Sequence, residues 1–176
     1  MSADLLKHHI RTVADWPEPG VQFRDITPLL RDGEAFNALI EEFAERYWGT
    51  KIDAVVGIDA RGFIIGAALA YRLGCGFIPV RKAGKLPFDT LCASYTLEYG
   101  AATVEVHADA ANPGEHVLIV DDLIATGGTM LATVSLMRQL GAHIVEAAAV
   151  IDLPGLGGSK RLQDAGAACF TLLSYD

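Results

Sequence analysis

The sequence has few cysteines, few basic residues and no long apolar run. Its three cysteines, Cys75, Cys92 and Cys169, are odd in number and include no Cys-x-x-Cys pair, so we expect neither a disulfide framework nor a zinc site. A transmembrane helix needs about 18 or more consecutive apolar residues, and the best run here, residues 62–71, is far shorter. We therefore predict a cytoplasmic protein without a membrane partner.

The shortage of positive charge excludes another class of function. The 22 Asp and Glu residues outnumber the 14 Lys and Arg residues, which gives a formal net charge of −8. General electrostatic attraction to nucleic acid needs the opposite sign, so we expect no nucleic-acid partner and infer that any bound phosphate is held locally. With 176 residues, of which 51% are hydrophobic, the chain is predicted to form a single domain over residues 1–176.

Two early segments show the apolar spacing of amphipathic helices. The apolar residues between Leu5 and Val13 fall near one helical face, and Ser2 can cap such a helix. In residues 36–47 the apolar residues repeat at i, i+3, i+4, i+7 and i+11, which is the helical period. We predict a helix in each segment.

The later part of the chain alternates strand and helix patterns. Short runs rich in β-branched residues predict buried strands at 54–58, 77–80, 117–120, 144–151 and 170–173. Segments with helical apolar spacing, 62–73 and 129–140, separate the first strand from the second and the third from the fourth. This order predicts an α/β fold with a parallel sheet covered on both faces. Residues 90–98 and 102–107 are instead typical of a hairpin inserted into that order.

A loop of small residues after the third of these strands is the most informative segment. The strand ends in Asp121 and Asp122, and residues 125–129, Ala-Thr-Gly-Gly-Thr, then open a helix. Backbone N–H groups at a helix N-terminus favour a phosphate, whereas the two carboxylates can accept hydrogen bonds from the hydroxyls of a ribose. The pattern predicts a ribose phosphate site at the carboxyl ends of the strands. The alternative is a turn in which an Asp caps the helix and the glycines serve only backbone geometry.

The same segment resembles the motif with which type I phosphoribosyltransferases bind 5-phosphoribosyl 1-pyrophosphate (PRPP). The resemblance continues through residues 19–26, 57–63, 81–87 and 95–100, and it is greatest to the members that act on adenine. It implies the type I phosphoribosyltransferase fold, a parallel sheet flanked by helices with an inserted hairpin lid and an N-terminal hood. It also implies the formation of AMP and pyrophosphate from adenine and PRPP in purine salvage.

The resemblance assigns residues on several segments to PRPP and AMP. They are Asp59, Ala60, Arg61, Arg81, Lys82, Lys85, Tyr99, Asp121, Asp122, Ala125, Thr126, Gly127, Gly128 and Thr129. The first three would lie at the pyrophosphate, and the basic residues that follow them would clamp the charge of the leaving group from the lid. Without the resemblance, a basic run of this size is typical of a solvated face.

Further residues are implied to hold adenine and to carry the chemistry. The adenine set is Gln22, Phe23, Arg24 and Leu153, and the catalytic set is Glu98, Arg61, Arg81 and Lys85. Glu98 would take the proton that the purine sheds; a solvent-facing acid on a hairpin edge is the alternative. For Phe23 the alternative is a core aromatic residue. No lysine adjoins Leu153, which favours adenine over a 6-oxopurine.

The resemblance also implies a cofactor and an assembly. Mg²⁺ would be carried mainly by PRPP rather than by protein ligands, and the lid would contribute to PRPP binding in a homodimer. Two other functions stay open because a fold does not fix an activity. They are a regulator that senses PRPP without turnover and a transferase for another nucleobase such as xanthine.

Overall fold

The N-terminal unit, Met1–Trp48, is organised around the amphipathic helix that the spacing of its apolar residues predicts. The structure is a computed structural model that describes residues 3–97 and 99–176. The elements of this unit are α1 (Ala3–His8), β1 (Arg11–Ala14), β2 (Gln22–Asp25), α2 (Thr27–Arg31) and α3 (Gly33–Arg46). The Asp32 carboxylate caps α3 by accepting a hydrogen bond from the Ala35 N–H at 2.9 Å. Leu39 and Phe43 of α3 are fully buried, which confirms this helix.

The first helix is shorter than its apolar spacing predicts. α1 ends at His8, and Val13 lies instead in β1, opposite Phe23 of β2 in an antiparallel pair. Thr12 and Val13 are β-branched residues that suit an extended strand, and β2 supplies the partner that the local pattern could not reveal. The predicted cap at Ser2 lies outside the described residues.

The second unit, Gly49–Asp176, contains the predicted alternation of strands and helices. Its elements are β3 (Ala54–Ile58), α4 (Arg61–Leu73), β4 (Gly76–Lys82), β5 (Thr90–Leu97), β6 (Gly100–His107), β7 (His116–Ile124), α5 (Gly128–Gln139), β8 (His143–Asp152), a 3-10 turn (Pro154–Leu156), α6 (Gly158–Asp164) and β9 (Cys169–Ser174). The turn and α6 were not predicted, because seven residues are too few to show a helical period.

The strands of this unit form one sheet in the order β5-β6-β4-β3-β7-β8-β9. The five strands from β4 to β9 in that order pair in parallel, whereas β5 and β6 form an antiparallel hairpin against β4. Every residue of β3 is buried, as expected for a strand covered on both faces. The predicted α/β fold with an inserted hairpin is confirmed.

Across residues 3–97 and 99–176, none of the helices combines the length and the apolar character that crossing a membrane requires. A single domain over residues 1–176 stays a prediction.

Candidate active site

The loop between β7 and α5 forms a small cavity around the N-terminus of a helix. The cavity is lined by Asp121 and by the whole of residues 123–130. Gly127, the residue before α5, has a φ of +83°, a conformation that favours glycine. No side chain of the described residues caps α5, so its first N–H groups face the cavity without competition from a capping oxygen and suit an anion.

Glycine is required in this loop for space as well as for conformation. A Cβ added to Gly127 would lie 2.9 Å from the Cα of Gly158, and one added to Gly128 would lie 2.7 Å from the ring of Tyr95. A bulkier residue at either position would force the backbone or the Tyr95 ring to move. The loop is therefore enclosed by α6 on one side and by the hairpin strand β5 on the other.

The start of α6 holds the loop in place from behind. The Gly158 N–H donates a hydrogen bond to the carbonyl of Ala125 at 3.0 Å, and the Arg161 guanidinium donates to the carbonyl of Thr126 at 2.6 Å. A Cβ on Gly158 would lie 2.7 Å from the nitrogen of Gly127. Sequence reasoning missed Gly158 and Arg161, because the only local signal was a pair of glycines about thirty residues beyond the loop.

A larger cavity of about 320 Å³ lies where β3 and β7 end. Its lining includes a set of predicted PRPP residues: Asp59, Ala60, Arg61, Lys82, Asp121, Asp122 and Thr129. They meet because β3 and β7 pair in parallel with Gly57 opposite Val120, so both strands end at the same edge of the sheet. The structure thus brings together residues that are about sixty positions apart in the sequence.

Two glycines let α4 start directly against these strand ends. A Cβ on Gly62 would lie 2.9 Å from the carbonyl oxygen of Val120 and 3.0 Å from Oδ1 of Asp121. A Cβ on Gly57 would lie 2.6 Å from the ring of Phe77. The Val120 carbonyl belongs to the sheet backbone and cannot give way, so Gly62 fixes how closely Arg61 approaches β7.

Arg61 is paired with one of the two acids of the phosphate motif. Its Nε lies 2.5 Å from Oδ2 of Asp122, and Asp122 is only 5% exposed while Arg61 remains half-exposed. A buried carboxylate needs such a partner, because removing an unpaired charge from water is costly. The pair therefore joins the first turn of α4 to the end of β7.

Asp59 forms ion pairs with two of the predicted basic residues. Its Oδ2 lies 3.4 Å from Nε of Arg81 and 3.8 Å from Nζ of Lys85. The Asp59 N–H in turn donates to the carbonyl of Val80 at 2.9 Å, which ties the end of β3 to β4. The basic segment is thus assembled around a carboxylate at the cavity instead of pointing away as a solvated face.

Asp121 has an unusual electrostatic environment. Asp121 is half-buried as a whole residue, and its Oδ1 accepts a hydrogen bond from the Asp122 N–H at 2.8 Å. Burial of the carboxylate raises the pKa of Asp121 well above its ordinary value, and the adjacent negative charge of Asp122 raises it further. Ionisation of Asp121 beside the charged Asp122 is therefore unfavourable.

The remaining predicted residues lie elsewhere. Tyr99 occupies the turn of the hairpin with its side chain 85% exposed, and it is not part of the larger cavity's lining. Glu98 lies outside the described residues. Leu153 follows β8, and its N–H donates to the carbonyl of Ile124 at the end of β7.

Three of the predicted adenine residues lie on β2 of the N-terminal unit. Phe23 and Arg24 are half-buried, whereas Gln22 is exposed. The Arg24 guanidinium donates a hydrogen bond to the Thr12 hydroxyl at 2.5 Å, which ties the side chain to the neighbouring strand. The backbone groups of this short strand are therefore held in a defined extended conformation.

Known proteins share both the sequence and the fold. The phosphoribosyl transferase domain model matches residues 29–166. The adenine phosphoribosyltransferase of Paraburkholderia xenovorans is 61% identical over 175 residues, which cover 99% of this chain and 93% of the relative. The adenine phosphoribosyltransferase of Chromohalobacter salexigens is 57% identical over 172 residues, which cover 98% of this chain and 95% of the relative.

Solved structures agree. The adenine phosphoribosyltransferase from Rhodothermus marinus superposes with a TM-score of 0.92 at 51% identity and covers 98% of both chains. The enzyme of the same name from Saccharomyces cerevisiae, complexed with an iminoaltritol bisphosphate and adenine, gives a TM-score of 0.92 at 41% identity. That comparison covers 97% of this chain and 98% of the yeast chain.

The environment of Asp121 predicts a pH-dependent cost to folding. Because the pKa of Asp121 is raised in the folded protein, the cost is absent below its ordinary value of 3.8 and grows as the pH rises through the raised pKa. The variant Asp121→Asn should therefore become increasingly stable relative to the parent as the pH is raised above about 4, as measured by urea unfolding at each pH. Asp109→Asn, at an exposed position, is the control and should change the free energy of unfolding little. A stability difference for Asp121→Asn that is constant or shrinks with pH would contradict this account.

Proposed function

Because the chain belongs to the phosphoribosyltransferase family, we propose that it forms AMP and pyrophosphate from adenine and PRPP. It is a pentosyltransferase, and its curated relatives at about 60% identity carry this activity in their names. One observation of the site carries the proposal. Two acids at the end of β7, a glycine loop at a helix N-terminus and three cations at the end of β3 and β4 share one edge of the sheet.

The phosphate and sugar of PRPP match the smaller cavity and the acids beside it. The N–H groups of residues 125–129 would hold the 5′-phosphate, which needs donors and no negative side chain. Asp121 and Asp122 would accept hydrogen bonds from the ribose hydroxyls. Such bonds also suit Asp121 when it is protonated, since a carboxylic acid keeps an acceptor oxygen and gains a donor.

The pyrophosphate would bind the cations that are paired with Asp122 and Asp59. Arg61 would exchange Asp122 for pyrophosphate oxygens, while the ribose hydroxyls replace Arg61 at Asp122. Arg81 and Lys85 would turn from Asp59 towards the same leaving group, with Ala60, Lys82 and Tyr99 as further contacts. At Asp122 this exchange of partners avoids leaving a buried charge unpaired.

Bond cleavage leaves positive charge on the ribosyl carbon and negative charge on pyrophosphate. Arg61, Arg81 and Lys85 would stabilise the leaving group, because preformed cations in a partly dry site act strongly on developing charge. We expect Mg²⁺ bound to PRPP to add to this neutralisation. Across the described residues no group of three or more His, Cys, Asp or Glu is placed to hold a metal ion.

The residues that the resemblance assigns to adenine are proposed to hold the base. Phe23 and Leu153 offer apolar surface to the purine ring, and the backbone groups of Gln22 and Arg24 offer hydrogen bonds to its edge. Glu98 is proposed to take the proton from the purine nitrogen that attacks the ribosyl carbon.

We also propose a homodimer in a reducing, cytoplasmic compartment. The outer face of α4 exposes Ile64 by 47% and Tyr71 by 90%, and residues seven positions apart share a helical face. Such an apolar stripe supports contact with a second copy of the chain. The three cysteines are unpaired, which supports the compartment.

Base selectivity tests the proposed activity directly. The chain is incubated with PRPP and Mg²⁺ together with adenine, hypoxanthine, guanine or xanthine, and pyrophosphate and nucleotide are measured. Adenine alone should give rapid turnover, because no lysine adjoins Leu153 to meet a 6-oxo group. Equal rates with hypoxanthine or guanine would contradict the adenine assignment, a product with xanthine alone would favour the other transferase, and PRPP binding without any product would favour the regulator.

The role of Glu98 has its own test. Glu98→Gln keeps the size of the side chain but removes its basicity, so kcat with saturating adenine should fall by roughly 10²-fold while PRPP affinity changes little. Glu45→Gln, on the exposed face of α3, is the matched control and should leave both unchanged. A near-parental kcat for Glu98→Gln, with product release shown not to limit the rate, would reject Glu98 as the base.

A further inference from the structure

One buried carboxylate outside the predicted site holds the loop that precedes the hairpin. Glu105 lies on β6, opposite Arg81 of β4, and it is only 5% exposed. Its Oε1 accepts hydrogen bonds from three consecutive backbone N–H groups, those of Gly84 at 3.1 Å, Lys85 at 3.2 Å and Leu86 at 3.1 Å. The same three bonds keep the pKa of Glu105 below its ordinary value, with the Leu86 N–H as the largest cause.

The loop is shaped to fit this carboxylate. The Ala83 N–H still donates to the carbonyl of Thr103 at 3.0 Å as part of the sheet, and the chain turns away at Gly84, which has a φ of +87°. A left-handed residue followed by further turn residues points successive N–H groups to one side, where they suit an anion. Glu105 supplies that anion from within the protein, and its other oxygen accepts a weak hydrogen bond from the Cys92 thiol at 3.8 Å.

The anchored loop carries a cation of the candidate site. Lys85 is the middle residue of the three, and its Nζ lies 3.8 Å from Asp59. Arg81, which is in register with Glu105, lies 3.4 Å from the same Asp59 oxygen. Because a lysine side chain is long and flexible, the position of its backbone largely decides which anions its ammonium group can reach.

We propose that Glu105 is a positioning residue for PRPP: by fixing the backbone of Gly84–Leu86 it holds Lys85 at the pyrophosphate end of the cavity. This inference rests on the proposed function, since it concerns how the same site holds its substrate. Glu105 itself touches no reacting atom and acts through Lys85. Its role is distinct from simple electrostatics, because a negative charge close to Arg81 and Lys85 would by itself weaken the binding of an anionic substrate.

Loss of loop positioning should raise the KM for PRPP, whereas loss of the negative charge alone should lower it. Glu105→Gln therefore distinguishes the two effects. The amide keeps the shape of the side chain but cannot offer a charged acceptor to three N–H groups. We expect the KM for PRPP to rise about tenfold with a smaller change in kcat, as for a lost binding interaction. Hydrogen exchange at the amides of Gly84, Lys85 and Leu86 should accelerate at least about tenfold. An unchanged or lowered KM in the folded variant would overturn the proposal.

A double-mutant cycle shows whether Glu105 acts through Lys85. In a Lys85→Met background, Glu105→Gln should alter the KM for PRPP by less than about threefold, because the two changes remove one coupled interaction. A full tenfold effect in that background would contradict the proposal. If Glu105→Gln does not fold, Glu105→Asp serves in its place, since it keeps the charge while withdrawing it from the three N–H groups, and the same rise in KM is expected.

Glu115→Gln is the matched control. Glu115 also accepts a hydrogen bond from a loop N–H, that of Asn112 at 2.8 Å, but this loop precedes β7 at the opposite end of the strand from the site. Its replacement should leave the KM for PRPP unchanged, and a rise equal to that of Glu105→Gln would overturn the proposal. A parent protein that forms no AMP would contradict the proposed function, whereas the exchange rates of residues 84–86 would still report whether Glu105 anchors the loop.

Discussion

The close approach of α4 to the end of β7 is the constraint on which the rest of the site depends. It is possible only because residue 62 is a glycine, whose missing Cβ would lie 2.9 Å from a carbonyl oxygen of the sheet. With α4 starting there, Arg61 reaches Asp122 across the strand ends, and the Asp59 turn closes against β4. Both cavities lie around this junction. Gly62 therefore helps to set the distance between the residues assigned to the ribose phosphate and the cations assigned to the pyrophosphate.

Ion pairs lie at this junction. The chain carries a net charge of −8, yet two of its acids at the strand ends are paired with cations, Asp122 with Arg61 and Asp59 with Arg81 and Lys85. A buried pair contributes little net stability, but losing one partner is costly. The binding of an anionic sugar substrate is therefore best understood as an exchange of partners, in which phosphate oxygens replace Asp122 at Arg61 and ribose hydroxyls replace Arg61 at Asp122.

Local sequence patterns predicted most elements of the fold and the residues that line the site. They did not predict the residues that hold the loops of the site in place. The 3.6-residue period of α3 and the apolar run of β3 are local properties, and so is the order of acids, glycines and threonines after β7. Gly158 and Arg161 contact the phosphate loop only because α6 folds back on it, and Glu105 meets the Gly84–Leu86 backbone only through pairing of β6 with β4. Val13 was misassigned to a helix for the same reason, since its strand exists through a partner ten residues away.

The exchange of partners is the central claim, and a crystal structure of the chain with PRPP and Mg²⁺ tests it most directly. The account predicts the 5′-phosphate on the N–H groups of residues 125–129, the ribose hydroxyls on Asp121 and Asp122, and Arg61 released from Asp122 to the pyrophosphate. A sugar bound with its 5′-phosphate at Arg81 and Lys85, or an Arg61–Asp122 pair that persists while the ribose hydroxyls contact other groups, would contradict it.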